Sequence, residues 1–288
     1  MSDVVCVLDA GSELGEGTFW DTRASVLWWV DIWGKSIHRF DPATGRDDQF
    51  PTPEYIGCMA PRARGGLVVA MESGFHFFDP ATGVFTPIAD PEADRPETRF
   101  NDGKTDRQGR FWSGTVFESP GRATEFTGGL YRLDPDLTCH RMVDGIGSSN
   151  GLAFSPDSRT LYFGDSQQAK VWAWDFDAAT GAIENRRVFI DTSDTGGLAD
   201  GATVDAEGCY WTTLPESGKL ARYDPSGTLM RTIMMPTAIP TCCEFGGPNL
   251  DILYVTSAKL RKLTDRYAGA LFAVDVGVRG LPLPAFAG

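Results

Sequence analysis

The sequence predicts an all-β fold, a six-bladed β-propeller, and three observations carry that prediction. Two short apolar strands recur as a pair six times, the second strand of each pair runs into an Asp-centred turn, and helical periodicity is nearly absent. The first strands read Val26-Leu27-Trp28-Trp29-Val30-Asp31, Gly66-Leu67-Val68-Val69-Ala70, Gly109-Arg110-Phe111-Trp112-Ser113-Gly114, Thr160-Leu161-Tyr162-Phe163-Gly164-Asp165, Gly208-Cys209-Tyr210-Trp211-Thr212 and Ile252-Leu253-Tyr254-Val255-Thr256. The second strands end at Asp41, Asp79, Asp134, Asp175, Asp224 and Asp275, as in Ile37-His38-Arg39-Phe40-Asp41. Three go on into Ala-Thr-Gly, at 43–45, 81–83 and 179–181. That is a tight turn, and its glycine takes backbone angles other residues avoid. A spacing of roughly 40–55 residues gives each unit room for one four-stranded blade. A β-sandwich would leave the six similar units unexplained. The ring has to close, and Val4–Leu8 is expected to complete the last blade. The chain, 1–288, is expected to form one domain without an internal linker, with at most a helical turn or two in 259–268.

Composition removes several functions. The 288 residues include 39 Asp+Glu against 26 Lys+Arg, a net charge of -13. Phosphate binding relies on a surplus of Lys and Arg, so a nucleic-acid partner is excluded. At 42% hydrophobic and 23% charged, the chain has apolar side chain enough for a sizeable core. No stretch approaches the ~20 apolar residues of a membrane span. The start, Met1-Ser2-Asp3-Val4-Val5-Cys6, lacks the basic and apolar regions of a signal peptide. The 6 Cys form no CxxC pair, and the adjacent Cys242 and Cys243 make a poor disulfide. Free, mostly buried thiols and a cytoplasmic location are expected. No membrane and no obligatory protein partner are expected either.

The innermost strand of a blade lines the central channel and should precede the repeated pair. Glu16, Asn101 and Asp200 each lie five residues before an Asp (Asp21, Asp106, Asp205), and Asn150 lies five before Ser155. Equivalent positions face one axis, so one channel mouth should carry Glu, Asn, Asn and Asp together. Blades two and six put uncharged residues there, around Ile56-Gly57-Cys58 and Thr241-Cys242. Two carboxylates and two amide carbonyls are hard oxygen donors, suited to Ca²⁺, Mg²⁺ or Mn²⁺ and tolerant of Zn²⁺ or Fe²⁺. Taken singly, such residues more often cap strands and satisfy turns. As a set of four, that reading weakens, because buried carboxylates want a partner.

At this point the chain resembles the gluconolactonase/regucalcin (senescence marker protein) family of six-bladed propellers. The matching stretches are Leu14-Gly15-Glu16-Gly17-x-x-Trp20, Arg99-Phe100-Asn101-Asp102-Gly103-Lys104-x-Asp106, Ser149-Asn150-Gly151-Leu152-Ala153-Phe154, Asp200-Gly201-x-x-Val204-Asp205 and Phe245-Gly246-Gly247-Pro248 with Leu253-Tyr254-Val255-Thr256. They run in family order across nearly the whole chain. The resemblance implies that Glu16, Asn150 and Asp200 hold one divalent metal ion and that Asp200 is the general base. It implies that Arg99 and Asn101 bind a small-molecule sugar lactone, which is hydrolysed to the open aldonic acid. Some members carry a substrate-contacting acid where this chain has Ser119, and here Glu118 stands one place away, so that contact is open. Val116 replaces a Met common in the family. A metal-bound Asp can take a proton from attacking water with its second oxygen.

Other signals weigh less. Gly147-Ser148-Ser149-Asn150-Gly151 matches G-x-S-x-G, but a nucleophile elbow needs a following helix and a strand follows here. His38 and His76 share a repeat position and read as blade packing or surface. Trp28, Trp29, Trp112, Trp172, Trp174 and Trp211 read as core, whereas Trp20 and Trp33 are candidates for the channel mouth. Residues 90–98 read as a solvated loop or a lid beside Arg99. Two functions remain: a metal-dependent sugar lactonase and, as the alternative, a calcium- or metal-binding propeller without significant turnover. The pair Arg99 and Asn101 favours the enzyme, since an ion site alone needs no sugar-binding pair.

Overall fold

The computed structural model describes residues 4–118, 126–259 and 265–288. They form six four-stranded antiparallel sheets. Blade one runs Gly15–Asp21, Val26–Asp31, Ser36–Asp41 and Arg46–Pro51 from the axis outward. The inner strands of the others are Ile56–Pro61, Thr98–Thr105, Ser149–Phe154, Ala202–Val204 and Pro240–Gly246. Each inner strand touches the next in a closed ring. The last blade is made of both ends of the chain: Val4–Leu8 pairs with Leu271–Asp275. The six blades and the closing strand are therefore as the sequence predicts.

Burial follows the layers. The second strands Val26–Asp31, Leu67–Met71, Phe111–Phe117 and Tyr210–Leu214 are buried along their whole length, because blades pack face to face on both sides. Outermost strands such as Arg46–Pro51 and Leu229–Met234 are largely exposed and polar or mixed. Trp29, Trp112 and Trp211 are fully buried, and truncating such a residue to Ala costs about 3–5 kcal/mol. His38 is buried too, stacked on Trp29 and paired with Asp47, which is the packing role expected of it.

The Asp residues that fix the repeat have visible work. Asp41 accepts from the Ala43 N–H and the Thr44 hydroxyl, and Asp79 accepts from Ala81 and Thr82. In blade four the strand runs on to Phe176, so Asp177 rather than Asp175 takes that role. Gly45, Gly83 and Gly181 sit at φ 72, 72 and 71°, one turn geometry used three times. Asp106 and Asp205 each accept an indole N–H at 2.9 Å, from Trp112 and Trp211, and each binds an arginine.

A 3-10 turn, Ser166–Gln168, is the one helical element among the described residues; of 259–268, residues 260–264 lie outside them. None of the described helices is long and apolar enough to cross a membrane. The six cysteines are free, four of them buried. After the last strand the chain crosses the far end of the propeller. Gly280 binds Leu250, Phe286 exchanges main-chain bonds with Pro61 and Ala63, and Ala287 binds Gly109. Leu283 and Pro284 thereby lie over the bottom of the channel, against Thr18, Gly103, Lys104 and Thr203.

Candidate functional site

The site residues stand where the inner strands begin, at the end of the channel opposite Leu283. In blades one, three and four the pairing with the second strand slips at that place, between Glu16 and Phe19, Phe100 and Gly103, and Asn150 and Ala153. Such bulges bend a strand and re-aim its side chains. Gly151 shows why glycine follows Asn150: its φ is 62°, and a Cβ there would run into the Tyr210 hydroxyl, which donates to Gly151 O at 2.7 Å. Asp200 precedes its strand by two residues, and its N–H donates to Thr213 O at 3.1 Å.

Blades one and four share a second device. The last residue of the second strand, Asp31 or Asp165, accepts from two N–H groups of the segment leading into the inner strand. Asp31 takes Glu13 and Leu14 at 3.0 and 2.9 Å, ahead of Glu16. Asp165 takes Gly147 and Ser148 at 2.8 and 2.9 Å, ahead of Asn150.

A line of hydrogen bonds then runs along the mouth from blade three to blade five. Arg99 Nη1 donates to Asn101 Oδ1 at 2.8 Å, and Asn101 Nδ2 donates to Asn150 Oδ1 at 2.9 Å and to Ser149 O at 2.8 Å. Asn150 Nδ2 donates to Ser166 Oγ at 2.7 Å, and Ser166 Oγ donates to Ala199 O at 2.6 Å, next to Asp200. Arg99 Nε pairs with Glu118, whose other oxygen accepts from Trp33 Nε1 at 3.0 Å. Glu118 is thus tied to Arg99; Ser119 lies outside the described residues.

Electrostatics separates the mouth from the rest of the interior. Burial pushes the Glu16 carboxyl well up from its ordinary value, and the nearby charges of Asp200 and then Asp102 push it further. Burial and the Asp102 charge do the same to Asp200. Arg99 draws both down, by less. Asp102 is raised by burial, although the N–H groups of Gly103 and Leu152 donate to it at 2.8 and 3.0 Å. Among the described residues no group of three or more His, Cys, Asp or Glu side chains forms a metal-holding cluster. What the mouth offers is two carboxylates whose charges repel and, on the hydrogen-bonded line that ends beside Asp200, the amide of Asn150. Two carboxylates that resist ionising together, beside a neutral oxygen donor, fit a divalent cation by charge and by hardness.

The structure brings Glu16, Asn101, Asn150 and Asp200 to one mouth, as the spacing predicts, and adds Arg99. It separates the two tryptophans proposed for that place. Trp33 is 40% exposed and reaches Glu118, but Trp20 is buried at the other end of its strand, stacked on Tyr254 at 5.7 Å. Ser149 is fully buried, its hydroxyl has no partner, and the strand continues past it, so no elbow forms. Within 90–98, Glu92 is buried and accepts from Tyr131 and Thr115, which makes it an anchor rather than a solvated lid residue. Sequence reasoning missed Asp102, Ser166 and the buried pair Lys104–Glu244; only the Asn-Asp-Gly-Lys run hinted at the first. Two clefts of about 560 and 480 Å³ lie between turns and outer strands away from these residues and hold no comparable buried charge.

Comparison with known proteins bears on the same geometry. The family described as SMP-30/Gluconolactonase/LRE-like region matches residues 14–259. The chain is 36% identical to a 6-deoxy-6-sulfogluconolactonase of Pseudomonas putida, over 98% of each chain. It is 35% identical to a pentonolactonase of Haloferax volcanii, over 97% of this chain and 96% of that one. The solved structure of regucalcin from Agrobacterium tumefaciens, described as a calcium-binding protein, matches with a TM-score of 0.92 at 29% identity, covering 98% of this chain and 96% of the other.

Proposed function

This chain belongs to the SMP-30/gluconolactonase family, and from that footing we propose that it hydrolyses a sugar-acid lactone to the open acid, with one divalent cation at Glu16, Asn150 and Asp200. The observation that carries the reading is the pair of buried carboxylates whose charges are uncompensated, set beside an arginine with a free edge. Arg99 uses Nε and Nη1 on Glu118, Phe100 O and Asn101, and its Nη2 has no hydrogen-bond partner among the described residues. That edge can donate to a lactone oxygen and orient the ring. Asn101 has both N–H groups committed, so it meets a substrate hydroxyl through the remaining lone pair of Oδ1. Asp200 takes the proton of the attacking water as the water oxygen bonds to the carbonyl carbon, and the same proton serves the ring oxygen when the C–O bond breaks. The cation, when bound, supplies polarisation of the carbonyl.

The test is acid release from a panel of aldonolactones, glucono-, xylono- and arabinono-lactone among them, by chelator-stripped protein before and after a divalent cation is restored. Hydrolysis that appears only with the cation is the expected result, and the panel also reads out the preferred sugar. Likeness to a calcium-binding regucalcin supports a second reading, cation binding without turnover. Tight cation uptake with no acid released from any lactone would favour it and end the first.

A further inference from the structure

We propose that Ser166 is a positioning residue that fixes which end of the Asn150 amide faces the cation site, and so sets cation affinity. The proposal rests on the cation site above and concerns a residue outside it.

An amide side chain looks nearly the same after a half-turn, so its orientation is decided by its partners. Here the partners decide it from both ends. Arg99 is a pure donor, so Asn101 must present Oδ1 to it and Nδ2 to Asn150. At the other end Ala199 O is a pure acceptor. Ser166 Oγ lies 2.6 Å from it and has one proton, which that contact consumes. Toward Asn150, at 2.7 Å, the hydroxyl can only accept. Asn150 therefore gives its N–H to Ser166 and keeps its oxygen on the other side. Every bond in the line points the same way, and such chains strengthen one another.

The serine is itself held firmly. Asp165, fully buried, caps the turn that Ser166 opens through the Gln167 N–H at 3.0 Å, while binding Gly147 and Ser148. Ser166 N–H donates to Ser148 O at 3.0 Å. One carboxylate thus sets the distance between the strand carrying Asn150 and the hydroxyl that orients it. Without the hydroxyl, the Asn150 N–H group loses its acceptor and the amide is held from one end only, by the Asn101 N–H. An amide held from one end turns more readily, and each half-turn puts a donor where a cation needs an oxygen.

The test is calorimetric titration of Ca²⁺, and separately Zn²⁺, into chelator-stripped protein. Ser166→Ala should raise Kd about 10–100-fold, as loss of a residue behind a ligand commonly does. Ser166→Thr, which keeps the hydroxyl, should stay within about three-fold of wild type, and the metal-free melting temperature of Ser166→Ala should stay close to wild type. In an Asn150→Asp background there is no amide to turn, so Ser166→Ala should cost little more there. A merely structural role would cost the same in both backgrounds. If Ser166→Ala does not fold, Ser166→Cys offers a weaker acceptor and should give a smaller shift in the same direction. Wild-type Kd in the folded variant, an equal loss in both backgrounds, or no cation uptake by wild type would overturn the proposal. A wild type that binds the cation but hydrolyses no lactone would sink the hydrolytic reading and leave this one standing.

Discussion

Two clusters of buried charge share the channel, and they are built to opposite rules. In the lower one, Lys104 Nζ bonds Glu244 at 2.8 Å and Ala202 O at 2.9 Å, and Glu244 also accepts from Thr203 and from the Phe245 N–H. Burial alone would lower the Lys104 ammonium, yet the groups around it, Glu244 foremost and Asp102 among them, together hold it above its ordinary value. Charge there is cancelled within the protein. In the upper cluster Glu16 takes one N–H, from Gly17 at 3.2 Å, and the charges of Asp200 and Asp102 raise it by more than Arg99 lowers it. Equal burial with unequal cancellation distinguishes a brace from a receptor. The lower cluster pairs its charges internally, and in the upper one Arg99 offsets only part of the carboxylate charge.

The sharpest break in that contrast is Asp200→Asn. It keeps size and one oxygen but removes the proposed proton acceptor, so turnover at saturating cation should fall about 10²–10⁴-fold. Turnover within a few-fold of wild type would show that another group is the base. In the lower cluster, Lys104→Met should cost about 3–5 kcal/mol of stability in denaturant melts, because Glu244 is left buried and alone. Adding Glu244→Leu should return most of the loss. A neutral single variant would mean that the lower charges are not mutually dependent.

Glu16→Gln sharpens the contrast, because it should act in opposite directions on the two states. Glu16 and Asp200 have carboxyls raised above 4.5 and 3.8 in the metal-free fold. The folded chain then holds protons that the unfolded chain releases, so their contribution is greatest below those ordinary values and is lost as pH rises through the raised ones. The metal-free variant should therefore become more stable than wild type as pH climbs above about 4.5, while its cation affinity drops. Melting curves that do not diverge with pH would show the upper charges to be compensated already. Ser149→Ala should do least: its hydroxyl bonds nothing, so kcat/KM at saturating cation should stay within about two-fold, and a total loss in folded, cation-loaded protein would revive a serine nucleophile.

What the sequence made legible was whatever repeats. Six strand pairs with a shared Asp turn announce six blades, and the five-residue interval to Asp21, Asp106, Asp205 or Ser155 brings Glu16, Asn101, Asn150 and Asp200 to one end. What does not repeat stayed hidden. Lys104 and Glu244 are 140 residues apart and meet only once the ring is closed. Asn101 and Asp102 are equally polar neighbours, and only the bulge after Phe100 sends one to Asn150 and the other to the Leu152 N–H. Trp20 and Trp33 look alike as candidates for the channel mouth, but Trp20 sits at the far end of a strand and finds Tyr254 in the adjoining blade. A serine that orients an amide has no signature at all in one sequence.

The C-terminal segment is laid across the far end of the propeller. Leu283 and Pro284 line a cleft there with Thr18, Gly103 and Lys104, and Phe286 is fully buried, so that end is covered over these residues. A lactone bound at Arg99 and the acid formed from it would occupy the same space in turn. The open acid should then behave as a competitive inhibitor that also reaches for Arg99.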